Sequence, residues 1–162
     1  MDSVLAFSSG VYNVILLVHI LGAIVWVGSA IFIQIYVTRL DRAGETTRLM
    51  AFAKDVEKLS TVIFLPSSLV VLVAGIAMVV YAPGVEASDL WIIIGLAGIV
   101  STIVIGAAFI GPESGRLARA ADERGPDDPE VLRRTRRIFA ISRIDLSVIL
   151  LVVADMVLKP AV

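Results

Sequence analysis

His19 lies inside the apolar run from Asn13 to Thr38, NVILLVHILGAIVWVGSAIFIQIYVT, and it is the only histidine in the chain. An ionisable side chain at membrane depth is costly, and such residues commonly mark a ligand, ion or proton site. A neutral imidazole can ligate haem iron or another metal. Gly22, Ala23, Trp26 and Ala30 follow at three, four, seven and eleven residues, which places them on the same helical face. Glycine beside a ligating histidine leaves room for a flat macrocycle, and tryptophan can pack on its edge. The same residues also suit a plainer arrangement, in which His19 bonds a carbonyl or hydroxyl of a facing helix and the glycines let helices approach closely.

Counted inward from the same side of the bilayer, Gly75 and Gly98 reach about the depth of His19, so three helices carry a small residue near one level. That level suits a cofactor slot or tight helix packing. One chain cannot supply two histidines to an iron. Met78 and Met156 are candidate second ligands, although methionine also serves as gap-filling core. A five-coordinate site, or a histidine from another subunit, is equally compatible.

Asp145 and Asp155 are the carboxylates of the last apolar segment. Asp155 and Lys159, four apart, are expected to pair at the interface. Asp145 lies deeper and should face protein, water or Arg143. Either aspartate could relay protons or fix helix register and depth. The run Arg133-Arg134-Thr135-Arg136-Arg137 could bind anionic headgroups or simply mark a cytoplasmic segment.

These residues sit in a chain of 162 residues that is 58% hydrophobic, with a mean hydropathy of +0.93. The apolar residues fall into four blocks, each able to form most or all of a spanning helix of roughly 20 residues. The expected spans are 11–38, 60–82, 89–110 and 139–158, with segments 39–59 and 111–138 between them. All Lys and Arg except Lys159 lie between Arg39 and Lys58 or between Arg116 and Arg143. The positive-inside rule makes both segments cytoplasmic and puts the termini outside. The first ten residues lack a basic region and the run that follows is too long for a leader's apolar core, so a retained first helix is expected. The absence of cysteine removes disulfides, thiolate metal sites and cysteine nucleophiles. There is no nucleotide loop, zinc spacing or nucleophile elbow, and no motif for nucleic acid.

Turn chemistry refines the elements. Gly44 is a stop for the first helix, and 45–58 reads as a charged helix leading into the second span. Pro66 should kink that span or force a local irregularity. Ala82-Pro83-Gly84 is a turn. Ser88 is the expected N-cap of the third span, with Asp89 in its first turn and Trp91 at the outer interface. Gly111-Pro112 should break or bend the chain before a polar helix at 113–124. Asp128-Pro129 should open one long helix to Leu158, closed by Lys159-Pro160.

His19-Ile-Leu-Gly22, then Trp26-Val-Gly28, resembles the first-helix pattern of a bacterial superfamily that includes the HemJ-type protoporphyrinogen oxidases and the CopD-type copper-resistance membrane domains. Glu57-Lys58-Leu59, Pro66 and Gly75 are similar to the HemJ-type segment entering its proline-containing helix. The last span, Arg143-Ile-Asp145 through Ala154-Asp155-Met156-Val-Leu-Lys159-Pro160, looks more like a small four-helix integral membrane family of unknown function. The HemJ resemblance implies a haem b protein with His19 as ligand and Lys58 as an essential lysine. On this topology Lys58 sits at the cytoplasmic edge, too far from His19 for both to hold one iron. The Arg- and Asp-rich stretch after Gly111 departs from the HemJ pattern.

The resulting expectation is an all-α integral membrane protein of the inner membrane, an antiparallel four-helix bundle with cytoplasmic helical extensions. The favoured function is haem b binding in its outer half with His19 as axial ligand, Gly22, Trp26, Gly75 and Gly98 shaping the pocket, and a redox or electron-transfer role. Expected partners are the lipid bilayer, a quinone or porphyrin, and a second copy or another membrane subunit. The alternatives are a non-enzymatic membrane subunit or scaffold, and a copper or ion transporter using His19, Asp145, Asp155 and the methionines.

Overall fold

Residues this apolar must satisfy their backbone within the segment, and a helix does so without strand partners. In the computed structural model, which describes residues 2–82 and 85–159 (side chains from residue 10 onward, except those of 57 and 60), every regular element is helical. Helix α1 spans Asp2–Ala43, α2 Thr46–Leu59, α3 Leu65–Tyr81, α4 Leu90–Ile105, α5 Gly111–Arg124 and α6 Pro129–Leu158. Three helical stretches, Gly10–Ala43, Thr46–Tyr81 and Leu90–Arg124, are long and apolar enough to cross a membrane. The apolar part of α6 carries Arg143, Asp145 and Asp155.

Helix α1 has 42 residues, about 63 Å at the usual rise, against about 30 Å of bilayer hydrocarbon, so it must extend well beyond the span. It stops where expected, with Gly44 at φ 68° and the Glu45 N–H returning to the Leu40 carbonyl at 3.1 Å. Left-handed backbone of this kind carries little penalty only for glycine.

The two prolines do not break their helices. A π-helical turn, Ser60–Phe64, joins α2 to α3 just before Pro66, and a second, Gly106–Ile110, joins α4 to α5 just before Pro112. Proline lacks an N–H and clashes with the carbonyl four residues back, and a π turn widens the helix where that happens. Ser67 Oγ donates back along the helix to the carbonyls of Ile63 and Phe64, at 2.6 and 3.2 Å, and Ser68 Oγ to that of Leu65 at 3.0 Å. The expected irregularity at Pro66 is therefore present, and Gly111-Pro112 follows a second one of the same kind, with α4 and α5 forming one continuous helical stretch, Leu90–Arg124.

Asp128 caps α6 by accepting from the Glu130 N–H at 2.8 Å, with Pro129 in the first turn. The cap of α4 differs from expectation. Asp89, not Ser88, is its N-cap, and the Ser88 hydroxyl turns back to Glu86 at 3.2 Å. Pro83, Gly84 and Pro160 lie outside the described residues.

In the apolar region α1 packs against α3, and α4 against α6. A smaller core of Trp26, Ile99 and Ile149 joins the pairs. At the other end Val37, Leu40, Leu49, Met50, Leu117, Val131, Ile138 and Phe139 form a larger core among α1, α2, α5 and α6. Val131 and Thr135 are fully buried there, at 0% and 1% exposure.

Candidate functional site

The imidazole of His19 projects from α1 onto α3. Its Nδ1 lies 2.9 Å from the carbonyl oxygen of Val71. A carbonyl can only accept, so Nδ1 carries the proton, and in the neutral ring the lone pair is on Nε2. The ring rests against Gly75, where an added Cβ would stand 3.3 Å from His19 Cε1. One turn along α1, a Cβ on Gly22 would meet Val70 Cγ1 and Val71 Cγ2, each at 3.1 Å. Gly22 and Gly75 thus set the close approach of α1 and α3.

The glycines of α4 do the same against a different helix. A Cβ on Gly95 would overlap the methyl group of Met156, and one on Gly98 would overlap Val152 Cγ2. Trp26 is 7% exposed and belongs to the core with Ile99 and Ile149. Of the expected ligand His19 and the four residues expected to shape its pocket, the structure brings His19, Gly22 and Gly75 together. It sets Gly98 in the α4–α6 contact and Trp26 in the core between the pairs. A haem plate between the helices would have to displace Val70, Val71 and Val152, and the residues as packed do not fit it there.

The remaining candidates are dispersed. Met156 is turned to Gly95, and Met78 lies half-buried three residues beyond Gly75. Val71 stands opposite His19, and Lys58 lies thirteen residues back along the continuous helix Thr46–Tyr81, about 20 Å at the usual rise and beyond a lysine's reach. Asp145 stands beside Thr102 of α4. The expected Asp155–Lys159 ion pair is not formed. Helix α6 ends at Leu158, Lys159 adopts left-handed backbone with φ 41°, and its Nζ sits 5.0 Å from the ring centroid of Trp91. The i,i+4 pairing assumed that both residues were helical. Among the described residues no group of three or more His, Asp or Glu gathers as a metal site.

Polar groups that sequence reasoning did not single out are better placed. Gln34 is 8% exposed within α1, and its Nε2 donates a long bond, 3.5 Å, to the Phe139 carbonyl of α6. Its Oε1, like Asp145 Oδ1 and Asp155 Oδ2, is buried without a protein partner among the described residues. The signal was a single amide in the run IFIQIY. Glu113, directly after Gly111-Pro112, is 5% exposed and receives hydrogen bonds from Arg116 and Arg134. Burial alone would raise its carboxyl, but the two guanidinium groups outweigh it and hold the pKa below the ordinary glutamate value. Glu130 is lowered by its hydrogen bond from Arg134 and by the nearby charge of Arg124, and Arg134 is raised by Glu130 and Glu113. Lys54 of α2 pairs with Asp122 of α5, and Thr46 bonds Asp127. These bonds tie α2, α5 and the first half of α6 into one charged helical head.

The family described as predicted integral membrane protein, DUF2269, matches residues 13–160 of the chain. The chain belongs to the DUF2269 family. No curated protein and no solved structure matches it. The DUF2269 description names a membrane protein and no reaction or cofactor, so chemistry has to be argued from the side chains.

Proposed function

We propose that this DUF2269 chain is a non-catalytic membrane subunit whose working surface is its charged helical head. The observation that carries this reading is the use of side chains. Gly22, Gly75 and Gly98 are taken up in helix contacts, whereas the head combines the most deeply buried core with an interhelical ion-pair network. The contacts run in opposite senses along α1 and α3, with His19 at Gly75 and Gly22 at Val70, and along α4 and α6, with Gly95 at Met156 and Gly98 at Val152. They support an antiparallel four-span arrangement in which α6 is the fourth span. The basic residues of the head support a cytoplasmic position for it at the plasma membrane, with both termini outside.

Arg119 and Arg133 are exposed on the head and have no ion-pair partner among the described residues. In native membranes the chain should migrate in an assembly larger than itself. Arg119→Glu with Arg133→Glu should release it to its own mass, while His19→Ala should not. Migration at its own mass in the wild type, or release by His19→Ala alone, overturns this reading.

One observation favours a second reading, haem b binding. The Nδ1–H bond to Val71 is the kind of outer contact that fixes a ligating histidine and leaves Nε2 for a metal. A haem held by this chain would have His19 as its protein ligand and would supply one-electron redox chemistry. Quinone or porphyrin as partner belongs to this reading, which a Soret band lost in His19→Ala would support.

A further inference from the structure

Arg39 and Arg42 of α1 and Arg143 of α6 converge on one open cleft of about 730 Å³, which Gln34, Ile35 and Thr38 also line. All three arginines are exposed, and none is ion-paired among the described residues. Elsewhere Arg48, Arg116, Arg124, Arg134 and Arg136 each have a carboxylate within 4.0 Å, and Arg119, Arg133 and Arg137, which have none among the described residues, do not line this cleft. Among the described residues no carboxylate lines the cleft. Asp41, next to the cleft in sequence, has its carboxylate 3.7 Å from Arg136 instead. Three like charges without a counterion repel one another, and an anion between them relieves that repulsion.

The inner end of the cleft is different. Ile35 is 65% exposed, and Phe32 and Ile144 beyond it are 60% and 63% exposed. Gln34 lies about 7 Å deeper along α1 than Arg39, with its Oε1 buried and without a partner among the described residues. A cationic mouth that opens onto an apolar helix face has the polarity of a phospholipid, with its phosphate outside and its chains inside. A soluble anion would use the arginines but not the apolar wall.

We propose that this cleft binds the phosphate of an anionic phospholipid, with Arg39, Arg42 and Arg143 around the phosphate and the acyl chains lying along Phe32, Ile35 and Ile144. Basic pockets between membrane helices on the cytoplasmic side hold headgroups in this way. The site does not depend on the head having a protein partner.

The test uses the full chain in nanodiscs of phosphatidylcholine containing a minority of phosphatidylglycerol, followed by native mass spectrometry of the retained lipid. The wild type should retain phosphatidylglycerol in preference. Arg39→Gln, Arg42→Gln and Arg143→Gln together should abolish the preference, at about fivefold per arginine in low salt. Arg119→Gln with Arg133→Gln should leave it intact. Arg42→Gln alone, on the exposed last turn of α1, keeps the measurement decisive if the triple variant does not fold. Millimolar inorganic phosphate should not displace the lipid. Equal retention by the cleft variants, equal loss in the Arg119/Arg133 control, or full displacement by inorganic phosphate overturns the proposal, the last by making this a free-phosphate site.

Discussion

His19 Nδ1 and the Val71 carbonyl meet at 2.9 Å across the α1–α3 contact, beside a glycine that leaves room for the ring. One interaction thereby satisfies the only histidine of the chain and fixes the register of two helices. Interhelical hydrogen bonds in membranes contribute modestly. His19→Ala should therefore destabilise the protein by about 0.5–1.5 kcal/mol, and His19→Asn should recover part of that. Thermal or denaturant unfolding in detergent micelles measures both; a destabilisation several times larger would mean that His19 holds more than a helix contact.

The glycines differ in what stands over them. Gly98 faces Val152 Cγ2, a stiff branched side chain, so Gly98→Ala should cost about 1–3 kcal/mol. Gly95 faces the end of the flexible Met156, which can swing aside, so Gly95→Ala should cost less than about 1 kcal/mol. Gly28 has open space, and Gly28→Ala should be neutral or stabilising by up to about 1 kcal/mol. Equal effects at all three positions would contradict the α4–α6 packing.

The head should be acid-sensitive through Glu113 and Glu130. Both carboxyls titrate below the ordinary glutamate value in the folded chain. Their stabilisation is complete above the unfolded pKa of about 4.3 and is lost as pH falls through the lower native values. Limited proteolysis of the segment 111–138 from pH 7 downward should show protection at neutral pH and its loss in acid. Glu113→Gln should flatten that dependence and cost about 1–3 kcal/mol at pH 7 by removing a charged acceptor from Arg134. A pH profile unchanged by Glu113→Gln would contradict the assignment.

The absence of native cysteine makes topology directly measurable. Ser88→Cys should react with an impermeant maleimide in intact cells. Glu123→Cys, exposed on α5, should react only after permeabilisation. The reverse pattern would invert the orientation.

Much of the fold was legible in the sequence because apolar length, caps and glycine stops act locally. Gly44, Tyr81, Asp128 and Leu158 end or begin helices where their neighbours dictate. The outcome at Pro112 was not legible, because a proline can end a helix or be absorbed by a π turn, and the choice depends on which neighbours satisfy the freed carbonyls. The candidate site was only half legible. Spacing along one helix put Gly22 on the face of His19, and counting depth put Gly75 at its level. Depth says nothing about which helix lies opposite, so Gly98 was assigned to His19's slot when its neighbour is Val152. Gln34 and Glu113 were missed because burial of a lone polar residue depends on tertiary partners.

The central claim, that His19 and the glycines around it serve helix packing, is tested most directly by the absorption spectrum of the chain purified after expression with ample haem. The packing account predicts a colourless protein with no Soret band, and no spectral change in His19→Ala. A stoichiometric Soret band that disappears in His19→Ala would contradict it and establish His19 as an iron ligand.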